Sequence, residues 1–310
     1  MIAVLGATGY VGSSLGRALA AEHSRPLALF ARDLAKLARL GWPADVGLRP
    51  LDDFQARDFD LVINAIGAGD PKRVAAMGAD ILDITQTWDQ RVLTSMGPRT
   101  KYVFLSSGAI YGASFERPAQ AESEIALPVN RLETVSPYLL SKLYAEARHR
   151  HARNQAILDL RVFSFADPAV VRCESFFLAE LARAVVGKKP FVTSRKDMIR
   201  DYAGVRELTA LIACWEEAGA PNRALDLYTQ APVAKGVLIE AARTRYGLEV
   251  LYRDDVWVSP TGAKAVYASS FHAAADLGYV PSRDALTVVL DNLEELVGGR
   301  SGSLRVGDGL

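Results

Sequence analysis

The chain has 310 residues, of which 50% are hydrophobic and 23% are charged, and its 36 basic residues balance its 36 acidic residues. This composition is that of a folded globular protein and excludes disordered, collagen-like and coiled-coil classes. The formal net charge of +0 provides no overall field for a polyanion, so we expect neither nucleic acid nor a membrane surface as a partner.

The two cysteines, Cys173 and Cys214, are too few for a disulfide framework and do not form a CxxC pair. No apolar run reaches the roughly 18 to 20 residues that a membrane-spanning helix needs. The first apolar run, Ile2 to Leu5, is ended by a glycine and follows no basic segment, so we interpret it as a strand and not as a signal peptide. These features predict a cytoplasmic protein.

The hydrophobic pattern of the first half alternates between strands and helices. The run Ile2 to Leu5 is followed by Val11, Leu15 and Leu19 at helical spacing, which predicts a strand, a glycine turn and a helix. Further buried-strand patterns cover residues 27–30, 61–66 and 102–105. Continuous apolar strands separated by helices predict an α/β fold, a Rossmann-type doubly wound parallel sheet.

The pattern becomes less regular after Asp167-Pro168, which predicts a second, smaller lobe. We expect a dinucleotide-binding domain over residues 1–168 and a substrate-binding lobe over 169–297. The prediction leaves open that segments within the second range, such as 198–230, belong to the first domain. Residues 298–310 are rich in glycine and serine, and we expect a flexible tail there.

Glycines with GxxGxxG spacing stand between the first predicted strand and the first predicted helix. A turn of this kind lets a backbone approach a pyrophosphate, which then lies at the helix N-terminus. A plain tight turn is the alternative, but the flanking strand and helix favour dinucleotide binding. We therefore assign six residues of the turn to the cofactor: Gly6, Thr8, Gly9, Tyr10, Val11 and Gly12.

The second predicted strand ends in Phe30-Ala31-Arg32. An NAD site normally has an acidic residue there to bind the ribose 2′-hydroxyl, but this chain has Ala31. The guanidinium of Arg32 suits a 2′-phosphate, so the sequence favours NADP, with NAD as the alternative. A solvated arginine beside Asp33 is the other interpretation of Arg32.

Tyr138 and Lys142 form a YxxxK pair on one face of a helix predicted over residues 137–154. This spacing is frequent by chance, and alone it would indicate a tyrosine in the core of an amphipathic helix. Ser106 and Ser107 follow directly on the fourth predicted strand, at the sheet edge where α/β proteins bind ligands. The two features together indicate an active site.

The motifs GATGYVG from residue 6, SSGAIYG from residue 106 and SPYLLSK from residue 136 occur in that order, followed by RDYAGVREL from residue 200 and LGYVP from residue 277. This set resembles the extended short-chain dehydrogenase/reductase family, in its nucleotide-sugar epimerase, dehydratase and reductase branch. The resemblance covers residues 6 to about 281 and implies an enzyme.

The resemblance implies a role for each matching residue. Ser107 would hydrogen-bond the reacting oxygen, Tyr138 would give or take the proton, and Lys142 would bind the nicotinamide ribose and lower the pKa of Tyr138. Asn64, Ala65 and Ile66 would line the cofactor. Ser107, Ser164 and Arg200 would contact the substrate, with Arg200 on its diphosphate, although an ion pair with Asp201 or Glu207 is an alternative for Arg200.

The chain departs from the family in two places. The family's 4,6-dehydratases carry Asp-Glu directly after the catalytic Thr, whereas this chain has Gly108-Ala109, so we do not expect dehydration. Ser164 stands where an Asn is common, which weakens the inference of a substrate contact at this position.

We predict an NADP-dependent reductase of a keto-deoxy sugar carried by a nucleotide, because Arg32 favours NADP and NADP suits a net reduction. An NAD(P)-retaining nucleotide-sugar 4-epimerase is the alternative. A reductase of a non-sugar carbonyl and a non-catalytic dinucleotide-sensing protein are further alternatives.

Helical segments near residues 87–96 and over 137–154 suit pairing across a two-fold axis, so we expect a homodimer, as in many relatives. The end of the second segment is basic, with Arg148, His149, Arg150 and His151. We expect these side chains to be solvated, and we predict no metal site.

Overall fold

The computed structural model describes residues 1–112, 115–152, 154–173, 175–253 and 264–299. The strands are, in chain order, β1 (Ile2–Leu5), β2 (Leu27–Ala31), β3 (Gly47–Pro50), β4 (Leu61–Asn64), β5 (Lys101–Ser107), β6 (Ala156–Val162), β7 (Ser164–Phe165), β8 (Phe191–Thr193), β9 (Ile199–Arg200), β10 (Tyr202–Ala203), β11 (Arg223–Asp226), β12 (Val233–Ala234), β13 (Val250–Tyr252) and β14 (Val266–Tyr267). The α-helices are α1 (Tyr10–Glu22), α2 (Leu34–Arg39), α3 (Pro71–Met77), α4 (Asp80–Ser95), α5 (Pro137–His151), α6 (Phe177–Gly187), α7 (Val205–Glu217), α8 (Lys235–Tyr246) and α9 (Ala285–Val297).

A seven-stranded parallel sheet forms the centre of the molecule, with strand order β11-β6-β5-β4-β1-β2-β3. The predicted Rossmann-type α/β fold is therefore confirmed. The order of the strands reverses between β1 and β4, and a ligand crevice opens at such a point, beyond the carboxyl ends of the strands. The glycine turn after β1 and the serines at the end of β5 both lie at this edge.

The sheet is covered on both faces because neighbouring residues of one strand point in opposite directions. In β1, Ile2 and Val4 join a core shared with Leu15 of α1 and Leu208 of α7. Ala3 and Leu5 join a second core that includes Val92 of α4 and Ala145 of α5. Strands buried on both faces explain why the apolar runs in the sequence are continuous and do not alternate.

The second lobe has its own apolar core, built from α6, α8 and α9. Three small sheets complete it, with pairings β7–β10, β9 with β12 and β14, and β8–β13. Helix α9 begins after Asp284, whose side chain accepts a hydrogen bond from the Thr287 N–H at 2.7 Å. The predicted domain limits stay a prediction, and residues 300–310 of the expected tail lie outside the described residues. Among the helices described here, none is long and apolar enough to cross a membrane.

The end of α5 contradicts the expectation of a solvated basic cluster. His149 is fully buried, and its ring nitrogens lie 2.5 Å from Asp159 Oδ1 and 2.8 Å from Asp89 Oδ1. Burial by itself would lower the pKa of His149, but the hydrogen bonds to the two carboxylates outweigh it and raise the pKa to about 9. Helix α5 therefore buries His149 as a cation between two carboxylates, while His151 stays exposed.

Candidate active site

The glycine turn after β1 has the geometry that a dinucleotide needs. Gly6 has a φ of +77°, a conformation that favours glycine. A Cβ on Gly12 would lie 2.4 Å from the Gly6 carbonyl oxygen, so the helix can pack this closely on the turn only without a side chain. Helix α1 has no side-chain cap at Gly9 and no acidic residue in its first turn. Its backbone N–H groups therefore suit a pyrophosphate.

Thr8, Tyr10 and Val11 complete the turn. The Tyr10 hydroxyl accepts a hydrogen bond from the Asp167 N–H at 3.0 Å and donates to the Phe165 carbonyl at 3.2 Å. The start of α1 is thus attached to the segment that follows β6. Tyr10 also packs against the apolar core of the second lobe, beside the predicted pyrophosphate site.

Arg32 directly follows β2, and its side chain is exposed. The neighbouring Asp33 is the N-cap of α2 and accepts a hydrogen bond from the Lys36 N–H at 2.8 Å. The only carboxylate adjacent to Arg32 in the sequence is therefore already used to begin a helix. This arrangement leaves a cation at the position predicted for the adenosine ribose.

The segment Asn64, Ala65 and Ile66 leaves β4 beside the glycine turn, since a Cβ on Gly6 would meet the Ala65 carbonyl at 2.9 Å. The Asn64 side chain is buried and points inward. Its amide donates to the Tyr102 hydroxyl at 3.0 Å, and its oxygen accepts from the Ile66 N–H at 3.0 Å. Asn64 thus fixes the shape of the loop, and the backbone of this segment faces the predicted cofactor.

Ser107, Tyr138 and Lys142 come together at the carboxyl end of β5. Helix α5 begins with Ser136 as its N-cap and Pro137 in its first turn, which places Tyr138 and Lys142 one turn apart. The Lys142 ammonium donates to the Leu105 carbonyl at 2.8 Å and lies 5.8 Å from the centre of the Tyr138 ring. The Ser107 side chain lies close enough to Tyr138 to lower its pKa.

Burial has the largest effect on the pKa values of Tyr138 and Lys142 in the protein without a cofactor. Burial raises the pKa of Tyr138 above its ordinary value, and the hydrogen bond from Ser107 offsets only part of this increase. Burial also lowers the pKa of Lys142 to about 8. Tyr138 is therefore a neutral phenol when no cofactor is bound, and its proton is available for donation.

The packing around Gly108 leaves no room for an acidic side chain directly after Ser107. A Cβ on Gly108 would lie 2.5 Å from the ring of Phe163, so the ring occupies the space of any side chain at this position. An Asp here would displace Phe163 and break its contacts with Tyr111 and Tyr267. The site holds a phenol and a hydroxyl but no carboxylate at position 108 or 109.

A buried polar network lies behind the loop that follows β5. Ser106 donates to Glu146 of α5 at 2.5 Å, and Arg161 pairs with Glu146 at 2.7 Å. Arg161 also donates to the Tyr111 hydroxyl at 2.7 Å, which in turn donates to Asp226 at 2.9 Å. These bonds fix α5, the loop after β5 and the ends of β6 and β11 relative to one another.

The second lobe contributes the remaining predicted residues. Ser164 of β7 is half-buried and pairs with Tyr202 of β10. Arg200 is buried and donates to the Ile199 and Lys264 carbonyls at 2.7 and 3.0 Å. Of the alternative partners of Arg200, Asp201 accepts a hydrogen bond from Thr229 at 2.6 Å and Glu207 pairs with Arg283 at 2.9 Å.

Two residues of the second lobe were not predicted from the sequence. The hydroxyl of Tyr267 lies 3.3 Å from Ser107 Oγ, and the Lys264 ammonium lies 4.4 Å from the centre of the Tyr267 ring. They stand outside every recognised motif, and Tyr267 is 160 residues from Ser107. No periodicity or spacing in the sequence indicates this contact.

Comparison with protein families gives a match over most of the chain. Residues 2–226 match the model of the NAD dependent epimerase/dehydratase family. The chain belongs to this family. The matched range includes the glycine turn, Arg32, Ser107, Tyr138, Lys142 and Arg200. The predicted family and the prediction of an enzyme are thereby confirmed.

Solved structures with the same fold cover almost the whole chain. A UDP-glucose 4-epimerase from Stenotrophomonas maltophila is similar with a TM-score of 0.75 and 17% identity, over 97% of this chain and 99% of that one. A UDP-glucuronic acid 4-epimerase from Bacillus cereus has a TM-score of 0.72 and 16% identity, over 95% and 99%. A dTDP-glucose 4,6-dehydratase from Bacillus anthracis has a TM-score of 0.72 and 13% identity, over 94% and 95%. At these identities the likeness establishes the fold, and no curated protein sequence matches this chain.

Proposed function

We propose that this family member is a nucleotide-sugar 4-epimerase that keeps its dinucleotide bound between turnovers. The observation that carries the proposal is the group of Ser107, Tyr138 and Lys142 beside the glycine turn, with no carboxylate at positions 108 and 109. Such a site can move a proton on and off an oxygen but lacks the acid and base that elimination needs. Several structures of the same fold are 4-epimerases, which favours this function over the net reductase expected from Arg32.

The residues of the site have distinct tasks in this reaction. A bound dinucleotide supplies the hydride acceptor and donor at C4 of the sugar. Ser107 donates a hydrogen bond to the oxygen on C4, and Tyr138 takes the proton of this oxygen and later returns it. Lys142 holds the nicotinamide ribose, and the first turn of α1 holds the pyrophosphate. Arg200 and Ser164 contact the nucleotide diphosphate and the sugar.

A net reductase is the second candidate, and Arg32 favours it. The exposed guanidinium suits a 2′-phosphate, and Asp33 is engaged as the cap of α2. NADP suits an enzyme that exchanges its cofactor with solution in every cycle. For the proposed epimerase, the same arginine would permit either NAD or NADP.

The cofactor content of the purified protein separates the two candidates. We expect denaturation to release about one dinucleotide per chain, and we expect the protein to interconvert a nucleotide sugar and its C4 epimer with no cofactor added. A protein that is purified empty and oxidises added NADPH in step with sugar reduction would instead be the reductase. Mass spectrometry of the released cofactor and a screen of nucleoside diphosphate sugars provide both readouts.

Arg32→Ala tests the cofactor preference. Removal of a charged hydrogen-bond donor should weaken NADPH binding by about 10- to 100-fold and leave NADH binding nearly unchanged. Arg39→Ala is the matched control, because Arg39 is also an exposed arginine, at the end of α2. Equal loss of NADH and NADPH affinity, measured by titration of cofactor-stripped protein, would remove the support for NADP.

We also propose that the protein is a homodimer through α4 and α5. These helices pack side by side and form a groove of about 360 Å³, lined mainly by apolar side chains that include Leu82, Leu140 and Leu143. Tyr144 is 52% exposed on this surface. Such an apolar strip on paired helices suits a second copy of the same helices across a two-fold axis.

Tyr144→Glu tests the homodimer. The introduced charge should convert a dimer, with twice the 33.6 kDa mass of the chain, into a monomer. Tyr252→Glu is the control, since Tyr252 is 42% exposed in the second lobe. Light scattering that gives 33.6 kDa for the unmodified protein at micromolar concentration would contradict the proposal.

A further inference from the structure

The Ser107 hydroxyl lies between two tyrosines from different lobes. Tyr138 approaches from α5 and is near enough for the serine to lower its pKa. Tyr267 approaches from β14, with its hydroxyl 3.3 Å from Ser107 Oγ. The Ala109 N–H also donates to Ser107 Oγ, at 3.1 Å. Ser107 therefore has three neighbours before any substrate binds.

The direction of these hydrogen bonds follows from what a serine hydroxyl can do. It has one proton to donate and two lone pairs that accept. One lone pair accepts the hydrogen bond from the Ala109 N–H. If Tyr267 donates to the second, Ser107 accepts from no other group, and its single proton must point to Tyr138 or to a substrate oxygen. If Tyr267 accepts instead, the proton of Ser107 is directed away from the reaction.

The surroundings of Tyr267 favour the donating direction. Tyr267 is buried, and burial raises its pKa above the ordinary value, so the hydroxyl keeps its proton. The Lys264 ammonium lies 4.4 Å from the centre of the Tyr267 ring and donates a hydrogen bond to the Gly112 carbonyl at 3.0 Å. A cation on the ring face makes a phenol a stronger hydrogen-bond donor. The ring itself packs against Phe115 and Phe163, at 5.1 and 5.2 Å between centroids.

We infer that Tyr267 is a positioning residue whose hydroxyl donates a hydrogen bond to Ser107 Oγ and thereby directs the Ser107 proton toward the reacting oxygen. Lys264 stabilises this position of Tyr267 through a cation–π contact with its ring. The inference rests on the proposed function, in which Ser107 donates to the oxygen on C4. It assigns a role in catalysis to the second lobe that is separate from the binding of the nucleotide.

A double-mutant cycle tests the coupling between Tyr267 and Ser107. Tyr267→Phe should lower kcat by about 10-fold with KM and dinucleotide affinity unchanged, because the hydroxyl acts through Ser107 and does not contact substrate. In a Ser107→Ala background the same change should alter kcat by less than about two-fold. Equal effects of Tyr267→Phe in both backgrounds would overturn the inference, and so would a change confined to KM.

Two comparisons separate positioning from a loss of packing. Tyr279→Phe is the matched control, because it removes another buried phenol hydrogen bond, to the Tyr228 carbonyl at 2.9 Å, away from Ser107. It should lower stability as much as Tyr267→Phe does, with kcat unchanged. Lys264→Met should reproduce part of the kcat loss. A control that loses as much kcat as Tyr267→Phe would show a general structural effect and overturn the inference.

A titration without substrate keeps the inference testable even if the proposed function fails. When Tyr267 no longer donates, Ser107 can accept from neutral Tyr138, so the Tyr138 pKa should rise in Tyr267→Phe. The ultraviolet absorbance of tyrosinate in the dinucleotide-bound protein, with Tyr138→Phe subtracted, measures this pKa. An unchanged or lower pKa would overturn the positioning role, whereas failure to turn over any nucleotide sugar would overturn only the function. The charged and titratable groups that face the two tyrosines are Lys142, Arg200, Asp226 and Lys264.

Discussion

Tyr138→Phe is expected to lower turnover by about 10² to 10⁴-fold, the loss typical of removing a general acid or base. The variant keeps the ring and removes only the hydroxyl, so the packing at the start of α5 is preserved. Affinity for the dinucleotide should stay unchanged, because Lys142 and the glycine turn are intact. Steady-state kinetics on the nucleotide sugar found in the screen, together with cofactor titration, measure both quantities.

The pH dependence of the same step provides a second check on Tyr138. Burial raises the pKa of the neutral phenol, so oxidation of a sugar alcohol, which needs the phenolate, should become faster as pH rises. In Tyr138→Phe this increase should disappear. Full activity in the variant, or the same pH profile as the unmodified protein, would remove Tyr138 from the mechanism.

His149→Gln is expected to destabilise the fold by about 3 to 5 kcal/mol, because it removes the buried cation that bridges Asp89 and Asp159 and leaves each carboxylate with one arginine partner, Arg148 or Arg150. His151→Gln is the matched control on the same helix. Its side chain is exposed, and the change should cost less than about 0.5 kcal/mol. Urea denaturation of the three proteins gives the two differences. Equal stability of His149→Gln and His151→Gln would contradict the ion cluster.

The stabilisation by His149 depends on pH in a defined direction. Its pKa is about 9 in the folded protein, above the ordinary 6.5, so the proton is held more tightly when the chain is folded. The contribution is complete below about pH 6.5 and is lost as pH rises through 9. The stability difference between the unmodified protein and His149→Gln should therefore decrease between these values. A difference that grows with pH would mean that His149 is neutral in the fold.

The features that could be predicted from the sequence are those encoded over a few neighbouring residues. The glycine turn depends on the positive φ of Gly6 and on the close packing that Gly12 permits, so the spacing of the glycines encodes its geometry. Tyr138 and Lys142 share a helix face because four residues make about one turn. The continuous apolar run Leu61 to Ile66 likewise predicts a strand buried on both faces, observed as Leu61–Asn64.

The features that could not be predicted depend on contacts between distant segments. His149 lies in a run of basic residues, and its partners, Asp89 and Asp159, are 60 and 10 residues away. The run of basic residues indicated a solvent-exposed His149, whereas the fold places Asp89 and Asp159 on either side of its ring. Tyr267 reaches Ser107 only because β14 pairs with β9 and brings the second lobe over the end of β5. Neither contact leaves a repeat or a motif in the sequence.

The proposed epimerase is tested most directly by proton NMR of the purified protein, with its own bound dinucleotide, acting on UDP-, dTDP- and GDP-hexoses in deuterated water. The account predicts that one of these sugars is converted into its C4 epimer with the original hydrogen retained at C4, because that hydrogen is transferred within the site and never exchanges with solvent. Replacement of the C4 hydrogen by deuterium, or the absence of an epimer from every one of these sugars, would contradict it.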